Sequence, residues 1–282
     1  MSEARAEADA WTIRRVVTWA TDDLKKRGST SPRLDAELLL GRVLGLDRVH
    51  LILDAARPLS KEELARYRAL HTRRRGGEPV AYLLGEREFY GRRFRVDARV
   101  LVPRPDTEAL VEEALARTER LGLSARVLDL CTGSGCVAIS IARERPTMRV
   151  TGADVSEGAL AVARENALRL GAVTTALVKS DLFAAFEGRS FDLVTANPPY
   201  IPGAEVPSLA VDIRAFEPHL ALTPGPEGLE ITRRIVADAP RFLATGGALA
   251  VEVGAGQAPA VVERFRAAGF ADVRTRRDLG GH

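Results

Sequence analysis

Arg126-Val127-Leu128-Asp129-Leu130-Cys131-Thr132-Gly133-Ser134-Gly135 reads as a short apolar strand delivered into a glycine turn, with a helix from Val137 to Arg143 directly after it. A run this apolar, bounded by turn residues and too short for a helix, suits a strand buried on both faces. The unit then repeats: a strand from Val150 to Asp154 precedes a helical period from about Glu157 to Leu170. Further short strands follow at Ala176 to Val178, Phe191 to Ala196 and Ala248 to Val253, with helical stretches near Leu229 to Ala239 and Ala258 to Ala268. Alternation of strand and helix predicts an α/β fold built on a doubly wound parallel sheet, whose ligand sits beyond the carboxyl ends of the strands.

Upstream the pattern is different. Ile13, Val16, Val17, Ala20 and Leu24 recur at helical spacing, and Leu34, Leu38, Leu39, Val43 and Leu44 do so after the Ser31-Pro32 start signal. Ser60 with Glu63 fits a capping box that opens a helix through Leu64, Tyr67 and Leu70, ending near Arg73 to Gly77. Residues 1–80 therefore read as a small helical bundle, with Trp11 and Trp19 as core anchors two turns apart. Phe89-Tyr90, Gly91, Phe94, Val96 and Val100 read as a β-hairpin, so that 81–105 is expected to connect the bundle to a second domain at 106–282. In Pro103-Arg104-Pro105-Asp106-Thr107-Glu108 the prolines block helix, and Asp106 or Thr107 is placed to cap the helix through Leu110, Val111 and Leu115.

Composition narrows the class. The 282 residues, 46% hydrophobic and 28% charged, suit a folded protein with two domains. Met1 to Ala10 lack a basic start and apolar core, and no apolar run reaches the ~18 residues of a membrane helix, so a cytoplasmic protein without a membrane partner is expected. Cys131 and Cys136 match neither a C-x-x-C site nor a disulfide framework and read as small reduced packing residues. His50, His71, His219 and His282 show no ligand spacing, and no metal site is expected. Residues 1–105 hold 22 Lys/Arg against 15 Asp/Glu, and 106–282 hold 19 against 23, so the front half can attract an acidic partner. Arg exceeds Lys along the whole chain, so compositional bias explains that asymmetry equally well, and no direct nucleic-acid contact is required.

Three sequence features carry chemistry. The turn Cys131-Thr132-Gly133-Ser134-Gly135 allows a ligand to approach the backbone, yet it is neither the G-x-G-x-x-G fingerprint nor a P-loop, which disfavours a pyrophosphate. S-adenosylmethionine carries no phosphate and fits such a turn. Asp154 closes the second strand, where a carboxylate can accept the hydroxyls of a ribose, although a helix cap by Asp154 or Ser156 is the plain alternative. Asp181 is then placed for an adenine amino group, with Leu182 as an apolar wall. Asn197-Pro198-Pro199-Tyr200 follows the strand Phe191 to Ala196. The Asn197 side-chain oxygen and the Pro198 carbonyl are two acceptors that suit the two hydrogens of a planar NH₂ group, and Tyr200 can pack on that flat group.

With these residues in place, the chain resembles the protein-glutamine N5-methyltransferases of the PrmC/HemK family. The resemblance rests on Tyr82 to Glu86 with Phe89 to Gly91, Pro103 to Glu108, Asp129 to Gly135, Asp154, Asn197 to Tyr200, Phe216 to Pro218, Gly228-Leu229, Glu252 to Gly254 with Gln257, and Arg277 to Leu279. It implies a Rossmann-like S-adenosylmethionine methyltransferase domain, S-adenosylhomocysteine as product, and methyl transfer to the glutamine of the Gly-Gly-Gln loop of class-1 peptide chain release factors. It also implies that the helical front docks the factor; the chain itself reads as a monomer. Cys131 stands where many members have glycine, Leu182 where the place is often aromatic, and Phe216 where tyrosine is usual. Asn-Pro-Pro-Tyr is shared with adenine-N6 methyltransferases. Adenine methylation of nucleic acid, methylation of a ribosomal-protein glutamine, and a non-catalytic cofactor-binding assembly factor are therefore the alternatives.

Overall fold

A computed structural model describes residues 10–119, 121, 124–277 and 281. Met1, Asp278, Leu279 and His282, named above, lie outside the described residues. The chain divides into two compact units, one of Met1–Gly85 with Val211–Phe216 and one of Glu86–Ala210 with Glu217–His282.

The first unit is helical: α1 (Ile13–Lys26), α2 (Pro32–Leu44), α3 (Arg48–Leu53), α4 (Lys61–Arg75), α5 (Val80–Leu84) and the returning turn α6 (Val211–Arg214). Its core joins Ile13, Val16 and Ala20 of α1 to Leu39 and Leu40 of α2 and Tyr67 of α4. The Ser60–Glu63 capping box forms in both directions, at 3.1 and 2.8 Å. Ser31 instead turns its hydroxyl to Asp35, 2.9 Å away, and α2 starts on Pro32, whose missing N–H costs nothing in a first turn. Trp11 and Trp19 are not core anchors: they are 37% and 44% exposed, edge to face at 6.0 Å. The buried stripe of α1 runs through Ile13, Val16, Ala20 and Leu24, which turns Trp19 outward, over the ring of His71. His71 is itself buried and bonded through Nε2 to Asp23 at 2.9 Å. The short helices α3 and α5 escaped the sequence reading because five or six residues show too little period.

The second unit opens with the hairpin β1 (Glu86–Phe89) and β2 (Arg92–Arg95). Tyr90 and Gly91 turn it with φ of 49° and 67°, the left-handed pair that tight hairpins need. Phe89 and Phe94 are fully buried in the core of this unit, beside Val111 of α7 (Glu108–Thr118) and Ile139 of α8 (Cys136–Glu144). The division between units accordingly falls at Gly85–Glu86, and the hairpin packs as part of the second.

The sheet comprises β3 (Arg126–Leu130), β4 (Arg149–Asp154), β5 (Ala176–Lys179), β6 (Phe191–Ala196) and β7 (Leu243–Val251), in the order β5-β4-β3-β6-β7. All four pairings are parallel. With α9 (Glu157–Arg169), α10 (Glu230–Phe242) and α11 (Ala258–Ala267) among its helices, this is the expected doubly wound α/β fold. The strand β7 begins at Leu243, five residues before the expected start, and α10 continues through Pro240 to Phe242, whose ring is buried. The chain reverses between β3 and β6, and register aligns Leu130 with both Ala153 and Ala196. Cys131, Asp154 and Asn197 consequently emerge side by side at the carboxyl edge. Among the described residues, no helix is long and apolar enough to cross a membrane.

Candidate active site

A cavity of about 230 Å³ opens at that edge within the second unit. Its wall includes Cys131, Thr132, Gly133, Ser134, Asp154, Asp181, Leu182, Asn197 and Pro199. Gly135, Pro198 and Tyr200 do not belong to that wall, while Arg99, Arg104, Thr107 and Asp129 do.

The glycine turn is held from below. Thr132 donates its hydroxyl to Asp129 Oδ2 at 2.6 Å, and Thr195 of β6 donates to Asp129 Oδ1 at 2.7 Å. A Cβ on Gly152 would meet Thr132 Oγ1 at 2.8 Å, so glycine in β4 makes room for that hydroxyl. Gly135 has φ of 80°, and a Cβ there would strike Ile139 at 2.7 Å, so this glycine serves helix packing. At Gly133, by contrast, a Cβ would meet nothing nearer than 4.0 Å, and the backbone is open to the cavity. Asn166 of α9 donates to Ser134 O at 2.9 Å and bonds both backbone groups of Arg95, tying the turn to the hairpin. Cys131 takes φ of 56°, the left-handed conformation its glycine counterpart would adopt without strain, and Leu182 takes 50°.

Asp129 is 1% exposed, and burial pushes its pKa up to about 6 despite the hydroxyls of Thr132 and Thr195 and the backbone N–H of Ala138. Its folded-state pKa lies above the ordinary 3.8, so its favourable contribution is complete below pH ~4 and is lost as pH rises through ~6, about 3 kcal/mol in all. Asp129→Asn is expected to flatten the fall in stability between pH ~4 and ~6, read from urea melts of the ligand-free protein; an unchanged slope would remove Asp129 as its source.

Asp154 Oδ2 accepts the Gly133 N–H and Oδ1 the Ser156 N–H, both at 2.9 Å. Burial still raises its pKa. The cap of α9 is Ser156, whose hydroxyl accepts from Ala159 N, which leaves the Asp154 oxygens with lone pairs for a ligand. Asp181 is exposed and paired with Arg234 of α10 at 2.8 Å, a partner with no signal in the local sequence.

Asn197 Nδ2 donates to Thr107 Oγ1 at 3.1 Å. Neither Asp106 nor Thr107 caps α7: Pro105–Thr107 is a 3₁₀ turn that runs directly into the helix, and the backbone of Thr107 is already helical. The tail of the Asn-Pro-Pro-Tyr loop is gripped by Gln257, which donates to Tyr200 O at 2.8 Å and accepts from Gly254 N at 2.9 Å. Arg104 holds the buried carboxylate of Glu217, one guanidinium nitrogen lying 2.7 and 2.8 Å from its two oxygens. These long-range partners could not be derived from spacing.

Both thiols are free and partly buried in the cavity wall. Burial, then the nearby Asp129 carboxylate, pushes Cys136 up to about 12, and burial with Asp154 and Asp129 raises Cys131 well above its ordinary value. Alkylation of either by iodoacetamide at pH 8 is expected to run roughly a thousand-fold slower than that of free cysteine; comparable rates would contradict this environment.

The chain matches the family model of the PrmC N-terminal domain over residues 15–85 and that of the methyltransferase small domain over residues 105–215. It is 45% identical over 273 residues to the release factor glutamine methyltransferase of Geobacter sulfurreducens, covering 97% of this chain and 95% of that one. The enzyme of the same name from Burkholderia pseudomallei is 48% identical over 259 residues, covering 90% of each. A solved structure from Alicyclobacillus acidocaldarius, described as a protein-(glutamine-N5) methyltransferase (release factor-specific), is 35% identical; it covers 67% of this chain and 94% of its own, with a TM-score of 0.42.

Proposed function

The chain belongs to the release factor glutamine methyltransferase family, and on that premise we propose that it methylates the side-chain nitrogen of the glutamine in the Gly-Gly-Gln loop of class-1 release factors, with S-adenosylmethionine as donor. The observation that carries the reading is the opening of Asn197, the glycine turn and Asp154 on one cavity, where acceptor and cofactor can meet.

The residues present fit the cofactor. Gly133 leaves its backbone open to the cavity, Asp129 is a buried carboxylate whose charge an ammonium group would relieve, and Asp154 keeps lone pairs for ribose hydroxyls. Asp181 and Leu182 take the adenine end. When bound, S-adenosylmethionine supplies a methyl group on a positively charged sulfur, and S-adenosylhomocysteine is what remains.

The work left to the protein is orientation. Asn197 Oδ1 and the Pro198 carbonyl each accept one N–H of the glutamine amide, which fixes the amide plane and turns the face of its nitrogen toward the donor. Orientation of this kind can lower a barrier by up to ~7–11 kcal/mol. The side-chain amide of Asn197 has no basic function at neutral pH, and none is needed before transfer, since the alkylated nitrogen carries the positive charge and sheds its proton to water. The helical unit takes the role of docking the factor, and the cytoplasm, where release factors work, is the place of action.

The test is to incubate the protein with labelled S-adenosylmethionine and, separately, a release factor, ribosomal proteins and DNA. Label on the Gly-Gly-Gln glutamine is expected. Label on a ribosomal protein, on adenine, or on nothing overturns the assignment.

A further inference from the structure

S-adenosylmethionine carries a permanent positive charge on its sulfur, yet two arginines, Arg99 and Arg104, stand in the wall of the cavity read as its site. Unopposed, they would repel it. Each is held by a carboxylate from outside that wall: Asp97 takes Arg99 at 2.8 and 2.6 Å, and Glu217 takes Arg104 at 2.7 and 2.8 Å. The two pairs differ in their surroundings. The side chains of Arg99 and Asp97 are 40% and 37% exposed, so water screens that arginine whatever its partner does. The Glu217 side chain is 2% exposed and that of Arg104 30%. Here the carboxylate supplies most of the cancellation, because water reaches the pair least.

The acidic groups of the wall are arranged the other way. Asp129 is bonded to two hydroxyls and Asp154 to two backbone N–H groups, and among the described residues no Lys or Arg pairs with either. The thiols of the same wall feel that field: after burial, Asp154 and Asp129 raise Cys131, and Asp129 raises Cys136. With the arginines cancelled and these carboxylates not, the balance left in the cavity is negative.

Resting on the reading of S-adenosylmethionine as donor, we infer that Glu217 is a positioning residue that cancels the charge of Arg104 and thereby makes the site prefer the charged sulfur of the donor to the neutral sulfur of the product. Glu217 lies outside the cavity wall and acts through Arg104. Donor and product differ by one methyl group and share their other contacts. Transfer of that methyl removes the charge, and with it the electrostatic part of the hold.

The experiment measures calorimetric Kd values for S-adenosylmethionine and S-adenosylhomocysteine at pH 8 on the full chain without release factor. Glu217→Gln keeps the shape and leaves Arg104 uncompensated, and the ratio of donor Kd to product Kd should rise roughly 3- to 10-fold, the scale of one partly screened charge at about 8 Å. Arg104→Gln leaves the carboxylate instead, and the ratio should fall at least about threefold. The variant carrying both changes should return to within about twofold of the unaltered protein. The ratio is taken within one sample, so partial loss of folded protein does not move it, and a packing defect does not order it by charge. Should Glu217→Gln not fold, Arg104→Gln still carries the test. An unmoved ratio in a single variant that binds, shifts of the same sign in both, or a double variant that keeps the full Glu217→Gln shift overturns the inference and leaves the cofactor reading standing. If the unaltered protein binds neither molecule, the two fall together.

Discussion

Asn197→Ala is expected to lower kcat for release factor methylation about 10²–10⁴-fold, with the affinity for S-adenosylhomocysteine and the melting temperature close to those of the unaltered protein. The side chain is half-buried at the end of β6, and truncation opens no core cavity. On the proposed function, what disappears is one of the two acceptors for the amide hydrogens. The lost interaction is needed to aim the nitrogen, so the effect belongs mainly in kcat. Single-turnover rates with calorimetric binding of S-adenosylhomocysteine check this. A variant that transfers methyl within a few-fold of normal would remove Asn197 from the chemistry.

Gly228→Ala is expected to be as damaging by a different route. Gly228 has φ of 76°, and a Cβ there would lie 2.5 Å from Tyr200 O, 2.9 Å from Pro202 N and 3.0 Å from Pro202 Cδ. All three atoms are backbone or proline ring, so no flexible side chain can yield. Left-handed strain of about 1–2 kcal/mol adds to an overpacking cost of about 1–3 kcal/mol. The part of the clash that is relieved by movement displaces Tyr200, and with it the loop that Gln257 holds through Tyr200 O and, at 3.4 Å, Gly228 O. Stability should fall by about 3 kcal/mol and kcat by at least about 10²-fold. Gly188→Ala is the control, because Gly188 has φ of 74° but a Cβ there would meet nothing within 4 Å. It should cost about 1 kcal/mol and leave activity intact. Equal effects at the two glycines would show that strain alone, and not the approach to Tyr200, is at work.

Much of the second unit was legible because its determinants are local. A buried parallel strand reads as a short, largely apolar run, and Val127 to Leu130 and Phe191 to Ala196, each interrupted by an aspartate, supply one each. Glycine at 133 and 135 and consecutive prolines at 198 and 199 restrict the backbone whatever surrounds them, so turn and loop could be placed by number alone. The capping box at Ser60 formed as read for the same reason. The tryptophans failed because a single large side chain does not define which face of a helix is buried, whereas four smaller residues at helical spacing do.

By itself the sequence determined which segments become strands, where the chain must turn without a Cβ, and which polar side chains stand at the strand ends. Only the tertiary structure decided what those side chains meet. Thr107 faces Asn197 across 90 residues, Thr195 joins Thr132 on Asp129, and Gln257 closes on Tyr200. The physical reason is that a backbone preference is set by a residue and its immediate neighbours. A hydrogen bond between distant residues exists only once the strand order and the Leu130–Ala196 register have brought their elements together.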